Sequence, residues 1–259
     1  MTDSPHATTI WPPDVLTLAM DVGGSGLKAS VLDVNGQMIA DRVRIETPYP
    51  CPPSLLVEKL GEIKDQLPDA NRASVGFPGL VRSGRVLNIP SLSRLEYGGP
   101  RDDTMANMWH GYDLATALAD AFNIPVKVAN DADVQGCAVV EGKGFEFVMT
   151  LGTGCGTAVF HEGRLLPHME LSHAQSGHPS GDFDDYIGNA ARKEIGNKRW
   201  RKRVVKAMQV FDEFLFYDRI YVGGGNAKKL SAADLGPKAK IVANTAGILG
   251  GIRIWEMDA

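Results

Sequence analysis

The chain is short of cysteine: Cys51, Cys137 and Cys155 are the only three among 259 residues, far apart and with no CxxC spacing. That excludes a zinc knuckle, an iron–sulfur site and a secreted disulfide framework, and it fits a reducing cytoplasm. No apolar run reaches the length needed to span a bilayer. Residues 1–13 have neither a basic n-region nor an apolar h-region, so they read as a disordered tail. Nor is one sign of charge in excess. A net charge of −4 with 22% charged residues gives no global bias toward nucleic acid or a membrane surface. What is there is a hydrophobic content of 44%, enough at this length for one large core or two modest ones around a cleft.

Glycine is present in clusters. Asp21-Val22-Gly23-Gly24-Ser25-Gly26-Leu27-Lys28 and Leu151-Gly152-Thr153-Gly154-Cys155-Gly156-Thr157-Ala158 lie about half a chain apart, and each joins one β-like run to another. Glycine lets backbone N–H groups approach an anion with no Cβ in the way, and the hydroxyls of Ser25, Thr153 and Thr157 can donate to phosphate oxygens. One such loop is often a structural hairpin; two with matching strand contexts read together as the jaws of a phosphate clamp. A third cluster, Gly223-Gly224-Gly225-Asn226, follows the apolar run Ile220–Val222.

Periodicity supplies the frame. Val15–Asp21 reads as a buried strand, and Leu27–Val34 and Gln37–Glu46 alternate around the turn Val34-Asn35-Gly36, giving an antiparallel opening. A helix over Pro53–Gln66, a strand Ala73–Phe77 and a polar excursion to about Tyr112 follow. Asp113 then caps a helix Leu114–Phe122, and a short strand Val126–Ala129 runs into Asn130-Asp131. The second half repeats the theme with strands Phe147–Leu151 and Thr157–His161, helices between about 183 and 216, and strand Ile220–Val222. A duplicated domain is the expectation.

These residues resemble the ROK sugar kinases of the actin-like ATPase fold. The resemblance is carried by the two glycine motifs and by Phe77-Pro78-Gly79, Trp109-His110-Gly111-Tyr112-Asp113-Leu114, Asn130-Asp131-Ala132-Asp133, Glu170-Leu171-Ser172-His173 and Gly223-Gly224-Gly225. The short chain, the missing cysteine-rich zinc motif and Asn244-Thr245-Ala246-Gly247-Ile248 are most similar to its polyphosphate-dependent glucokinases and glucomannokinases. The resemblance implies an α/β, two-lobed actin-like ATPase (ribonuclease H-like) fold with a central cleft. Its lobes would span 14–125 and 126–259, the last helix packing back on the first. It implies a cytoplasmic, homodimeric kinase that uses ATP or polyphosphate, with Mg²⁺, to phosphorylate a hexose, by default the 6-hydroxyl of glucose. No nucleic-acid or membrane partner is expected. Gly23, Gly24, Ser25, Gly26 and Lys28 would serve the phosphates with Gly152, Thr153, Gly154, Gly156 and Thr157, while Gly223, Gly224 and Gly225 form the adenosine-side loop. Gly79, Asn130, Asp131, Glu170 and His173 would meet the sugar.

The chemistry can be argued beside the resemblance. Phosphorylating a sugar hydroxyl needs a carboxylate to take the proton, a cradle for the phosphate and neutralisation of charge on the leaving group. Asp131, at a strand end, is the candidate base; its other reading is the N-cap of a helix Ala132–Val140, a role that Asp133 fits better. Asn130 can donate and accept at once, as vicinal hydroxyls require. Asp21 ends the first strand where a carboxylate can hold Mg²⁺ directly or through water, or else cap a turn. Lys28 is similar to a Walker lysine without the GxxxxGK[ST] spacing and can equally point to solvent. Taken alone, Glu170 and His173 beside His161, His168 and His178 could also suggest a metal.

Departures from the family pattern bear on the substrate. Ser172 stands where the family has glycine, and Ala174–Asp185 lacks the zinc element that positions another sugar-binding glutamate. Asp182, Asp184 and Asp185 stand either as its replacement or as the start of a helix near Tyr186. Lys198-Arg199-Trp200-Arg201-Lys202-Arg203 places five cations in six positions, either a solvated helix face or a track for a polyanion. The rival to a kinase is a catalytically weak sugar-binding or sugar-sensing ROK-type protein. The sensing members carry a DNA-binding domain ahead of the core, whereas about a dozen residues precede the first strand here.

Overall fold

The computed structural model describes residue 12, residues 14–242 and residues 246–257, with the side chains of 246–249 outside the description. The tail expected over 1–13 therefore lies outside the described residues except at Pro12, as do Asn244 and Thr245.

The first half opens with the meander expected of it: β1 (Thr17–Val22), β2 (Leu27–Leu32) and β3 (Val43–Ile45). It continues through α1 (Pro53–Lys64), β4 (Arg72–Phe77), a hairpin of β5 (Leu80–Arg82) and β6 (Arg85–Asn88), α2 (Asp103–Trp109), α3 (Leu114–Phe122), β7 (Val126–Asn130) and α4 (Asp131–Cys137). The sheet order is β3, β2, β1, β4, β7, with β1, β4 and β7 parallel. Every residue of β4 is buried, the polar Arg72 and Ser74 as well as Ala73, Val75 and Phe77. Helix α1 buries Pro53, Leu56, Leu60 and Ile63, a spacing of three and four that keeps one face on the core. Each such side chain, fully buried, is worth about 1.5–3 kcal/mol.

Two expectations change here. The strand over Gln37–Glu46 forms only as Val43–Ile45, because Met38 and Ile39 are exposed and make a single bridge to β2. The polar excursion contains α2, capped by Asp102, which accepts from the Met105 N–H at 2.7 Å. Its Trp109 is buried and donates from Nε1 to the Cys51 carbonyl at 3.1 Å.

The second half repeats the plan with β8 (Phe145–Leu151), β9 (Cys155–His161) and β10 (Arg164–Leu165). A hairpin of β11 (Gln175–His178) and β12 (Gly181–Asp182) leads to α5 (Phe183–Ile187), α6 (Asn189–Leu215), β13 (Arg219–Gly223), α7 (Ala232–Leu235) and β14 (Ala239–Ile241). The order β10, β9, β8, β13, β14 matches the first sheet strand for strand, antiparallel on one side of the central strand and parallel on the other. Helix α6 is broken at Gly196, where φ is +78°, and beyond the break buries Trp200, Val204, Ala207, Met208 and Phe211.

The chain resolves into two compact units, one of residues up to Ala138 with those from Gly247 onward, the other Val139–Ala246. Because Val126–Asn130 is the fifth strand of the first sheet, the first unit runs past the boundary expected at 125/126. Helix α8 (Ala246–Arg253) belongs to that first unit. A Cβ on Gly250 would fall 1.6 Å from the Val134 carbonyl oxygen, so only glycine permits this approach. Trp255 then donates from Nε1 to Ser74 Oγ at 2.8 Å, and Lys127 donates to the carbonyls of Ile254 and Met257.

Candidate functional site

In the first unit the parallel run of β1, β4 and β7 brings three carboxyl ends to one edge of the sheet, the edge where open α/β sheets bind ligands. Gly23–Gly26 follow β1, Pro78 and Gly79 follow β4, and Asp131 follows β7. The glycine loop is tied back by its carbonyls: Thr47 Oγ1 donates to Gly23 O at 2.6 Å and Tyr49 Oη to Gly24 O at 2.7 Å. Ser25 stays exposed.

Asp21 and Lys28 are partners across the β1–β2 register and form an ion pair at 3.0 Å. Lys28 therefore does not simply point to solvent, and the two charges offset each other. The cation that sequence reasoning missed here is Arg44 on β3. Its guanidinium covers Gly26, with Nε 3.2 Å from where a Cβ would stand, and no carboxylate among the described residues pairs with it. Only the strand pairing, which sets Arg44 opposite Lys28, reveals it.

The helix after β7 starts one residue earlier than expected and ends at Cys137, not Val140, and its cap is neither Asp131 nor Asp133. Asn130 is the cap: its Oδ1 accepts from the Ala132 N–H at 2.7 Å, while its Nδ2 donates to the Gly79 carbonyl at 3.0 Å. At 5% exposure Asn130 is an internal brace that ties the turn after β4 to the start of α4. Asp133 is buried at 3%. Asp131 is half-buried as the first residue of α4, where the first-turn N–H groups favour a negative charge.

In the second unit the glycine motifs after β8 and β13 meet. Asn226 donates from its backbone to Leu151 O at 2.9 Å and from Nδ2 to Gly152 O at 3.1 Å. Gly224, at φ +85°, lies so near Leu151 that a Cβ would stand 2.5 Å from its carbonyl oxygen. Thr153 is exposed and its carbonyl accepts from the Asn189 N–H at 3.0 Å. Thr157 is a correction. It is 1% exposed, and its hydroxyl donates to Met169 O at 3.0 Å and accepts from Leu171 N, so it fixes the turn that carries Glu170 rather than facing a phosphate.

That turn, Leu171–His173, sets two carboxylates around one imidazole: His173 Nε2 is 4.0 Å from Glu170 Oε2 and 3.9 Å from Asp184 Oδ2. Burial pushes the Glu170 carboxyl up, but the hydrogen bond from His168 and the charges of His168 and His173 outweigh it and hold it below its ordinary value. Asp184 goes the other way. Burial raises it, against the Cys155 N–H, His173 and Ser172. Asp184 Oδ1 accepts from the Cys155 N–H at 2.6 Å, and its carboxyl fills the space a Cβ on Gly154 would need. Sequence left Asp182, Asp184 and Asp185 unresolved. Asp182 caps α5 by accepting from the Asp185 N–H at 2.9 Å, Asp185 is exposed, and Asp184 is the acid turned to His173. Ser172, in the family's glycine position, is buried and hydrogen-bonds Asp184.

The histidines do not converge as a metal reading would need. His178 bonds Ser180 Oγ at 2.9 Å, His161 ends β9 exposed, and no group of three or more His, Cys, Asp or Glu among the described residues could hold a metal ion. His168, with a side chain 1% exposed and Nε2 3.5 Å from Glu170 Oε1, was missed as the internal support of Glu170. In the basic run Trp200 is buried, Arg203 lies over the Tyr186 ring at 4.8 Å, and Arg201 donates to the Lys229 carbonyl; Lys198, Arg199 and Lys202 are exposed.

A family model described as "ROK family" matches residues 17–193. The polyphosphate glucokinase of Mycobacterium tuberculosis is 28% identical over 246 residues, covering 89% of this chain and 88% of that protein. Among solved structures, the inorganic polyphosphate/ATP-glucomannokinase of Arthrobacter sp. strain KM is similar with a TM-score of 0.75 and 25% identity, over 94% of this chain and 98% of that one. A ROK family glucokinase from Streptomyces griseus, solved with glucose and AMPPNP, shares the fold with a TM-score of 0.71 at 17% identity, over 92% of this chain and 98% of that one. With the family model running from β1 into α6, through the first two glycine motifs, Asp131 and Glu170, the chain belongs to the ROK family and has its two-lobed actin-like ATPase fold.

Proposed function

We propose that the protein is a hexokinase-type sugar kinase that moves the terminal phosphoryl group of ATP or polyphosphate onto a hexose hydroxyl, by default the 6-hydroxyl of glucose, with Asp131 as the base. The observation that carries this reading is the position of Asp131: first residue of α4, at the carboxyl edge shared by the glycine loop after β1, and braced by Asn130 against the turn at Gly79. As the sugar hydroxyl oxygen attacks the terminal phosphorus, its proton passes to the Asp131 carboxylate. The bond from that phosphorus to the bridging oxygen breaks, and the leaving phosphate chain keeps the electron pair.

Glu170, kept ionised by His168 and His173, accepts a hydroxyl bond from the sugar, and His173 fixes the ring. Asp184 stands in for the family's zinc-positioned glutamate. The loops Gly23–Gly26, Gly152–Gly156 and Gly223–Gly225 carry the donor, and Asn130 acts through Asp131 rather than on the sugar.

Asp21 fits a water-mediated Mg²⁺ contact: its side chain is 55% exposed and only one of its oxygens is engaged, by Lys28. Bound there, Mg²⁺ would offset charge on the phosphates. The binding-module alternative is not favoured, since a polyphosphate glucokinase and a polyphosphate/ATP-glucomannokinase are similar over most of this chain. A cytoplasmic homodimer is carried as part of this reading on family habit. No helix among the described residues is long and apolar enough to cross a membrane.

Asp131→Asn should keep the fold and hexose binding by calorimetry while sugar phosphate formation drops at least about a hundredfold, the lower range of a general base. A purified variant with near wild-type turnover would remove Asp131 from that role.

A further inference from the structure

We infer that Arg192 binds the phosphoryl donor, as a cation held ready behind the second glycine loop; this rests on the sugar-kinase reading above. Arg192 is half-buried in the first turns of α6. Its Nε and one terminal nitrogen donate to Asn189 Oδ1 at 3.2 and 2.9 Å, and its other terminal nitrogen donates to Asn197 Oδ1 at 3.0 Å. Those acceptors are neutral amides, and no carboxylate among the described residues pairs with the guanidinium. Some other arginines are paired with acids, as Arg85 is with Asp113 and Arg219 with Glu141. A partly buried cation without a counter-charge is costly, and an anion brought beside it removes that cost.

The neighbours say which anion. Asn189 donates its backbone N–H to Thr153 O at 3.0 Å, and its Oδ1 is also 3.4 Å from Asn226 Nδ2, which donates to Gly152 O at 3.1 Å. The guanidinium is thus linked through Asn189 to Thr153, and through Asn189 and Asn226 to Gly152, the two residues that open the glycine loop. The break in α6 serves the same end. Gly196 at φ +78° turns the chain so that Asn197, five residues on, reaches back to Arg192. A guanidinium has five N–H donors, and the three bonds to asparagines leave two for a phosphate oxygen pair, the geometry in which arginine binds phosphate best. The ligand class is a phosphoanhydride, with nucleotide and polyphosphate sharing the terminal groups that Arg192 would meet.

The test titrates tripolyphosphate and glucose separately into wild type, Arg192→Ala and Arg192→Lys by calorimetry, and measures the donor KM of each. Arg192→Ala should weaken tripolyphosphate binding and raise the KM for ATP and polyphosphate at least about tenfold, while glucose affinity holds. Arg192→Lys should recover part of the loss, since a point charge replaces a two-pronged contact. Unchanged tripolyphosphate affinity in Arg192→Ala, no tripolyphosphate binding by wild type, or equal weakening of glucose and tripolyphosphate would each overturn the assignment. If wild type makes no sugar phosphate from any donor and hexose, the kinase reading fails instead, and the tripolyphosphate titration still decides Arg192.

Discussion

Replacing Asp184 by Asn separates what this carboxylate does for the fold from what it does for the sugar. The amide keeps the size and an acceptor for the Cys155 N–H, which Asp184 Oδ1 takes at 2.6 Å, and for the Ser172 hydroxyl. A hydrogen bond to a charged group is worth about 1.5–3 kcal/mol and a neutral one about 0.5–1.5, so roughly 1 kcal/mol is lost there. Against that, Asn removes a charge that burial disfavours. With the side chain 37% exposed, solvent screens that penalty to well under 1 kcal/mol. Stability should therefore move by no more than about 1 kcal/mol in urea melts. The sugar should notice more: a hydroxyl that donated to a carboxylate now donates to an amide, about 1–2 kcal/mol weaker, or roughly 5- to 30-fold in hexose affinity. Glucose titrations of the two proteins measure it. Equal affinities would refute Asp184 as a sugar contact.

The same variant carries a pH signature. Asp184 is raised above its ordinary 3.8 in the folded protein, so the folded state binds more protons than the unfolded chain in the window above 3.8. Stability from this group is therefore present at low pH and is lost as pH rises through the folded pKa. Glu170 has the opposite sign: it sits below its ordinary 4.5, so its contribution is present above 4.5 and disappears as pH falls through the folded value. Asp184→Asn leaves the Glu170 limb and deletes the other. The variant should gain on wild type as pH rises above about 4, and parallel stability curves across that range would contradict the shift.

Much of the fold was legible because burial dictates the pattern. The strands expected at β1, β4, β8 and β13 form, each mostly buried, and Asp113 does cap α3, accepting from the Thr116 N–H at 3.1 Å. Duplication was visible in the two openings and returns as one strand order used twice. What failed were places where tertiary contacts outweigh local pattern. Strand β8 begins at Phe145 rather than Phe147 because Glu146, 1% exposed, is a core residue: its carboxylate accepts the N–H groups of Glu141, Gly142 and Lys143 and the Tyr221 hydroxyl. Periodicity alone has no reason to put a glutamate there. Helix α2 did carry a signal, Asp102 and Asp103 ahead of an apolar Met105, Ala106 and Trp109, hidden by the polar residues around it.

The site was legible in its chain-local motifs and silent in its through-space partners. Gly152–Gly156 and Gly223–Gly225 announce themselves by composition, but their meeting depends on β8 and β13 being neighbours. Asn130 looked like a sugar ligand because an amide suits hydroxyls. It proves to be a brace, because a residue at a strand end before a helix is also the best placed cap. Asp21 and Lys28 are seven apart, and only the antiparallel register makes them an ion pair.

Two more perturbations test the frame and the donor. Gly250→Ala would set a methyl 1.6 Å from the Val134 carbonyl oxygen, so α8 must move off the first sheet; a loss of about 1–3 kcal/mol in urea melts is expected, and an unchanged midpoint would mean that α8 is not docked there. In the basic run Arg201 and Arg203 are committed to the Lys229 and Tyr186 carbonyls, so the charges open to a polyanion are Lys198, Arg199 and Lys202. Reversing those three to Glu should raise the KM for long-chain polyphosphate several-fold more than the KM for ATP, with a gap that narrows as salt screens it, because a long polyanion carries more charge for that field to act on. Equal effects on both donors, or a gap indifferent to salt, would return the run to an ordinary solvated helix face.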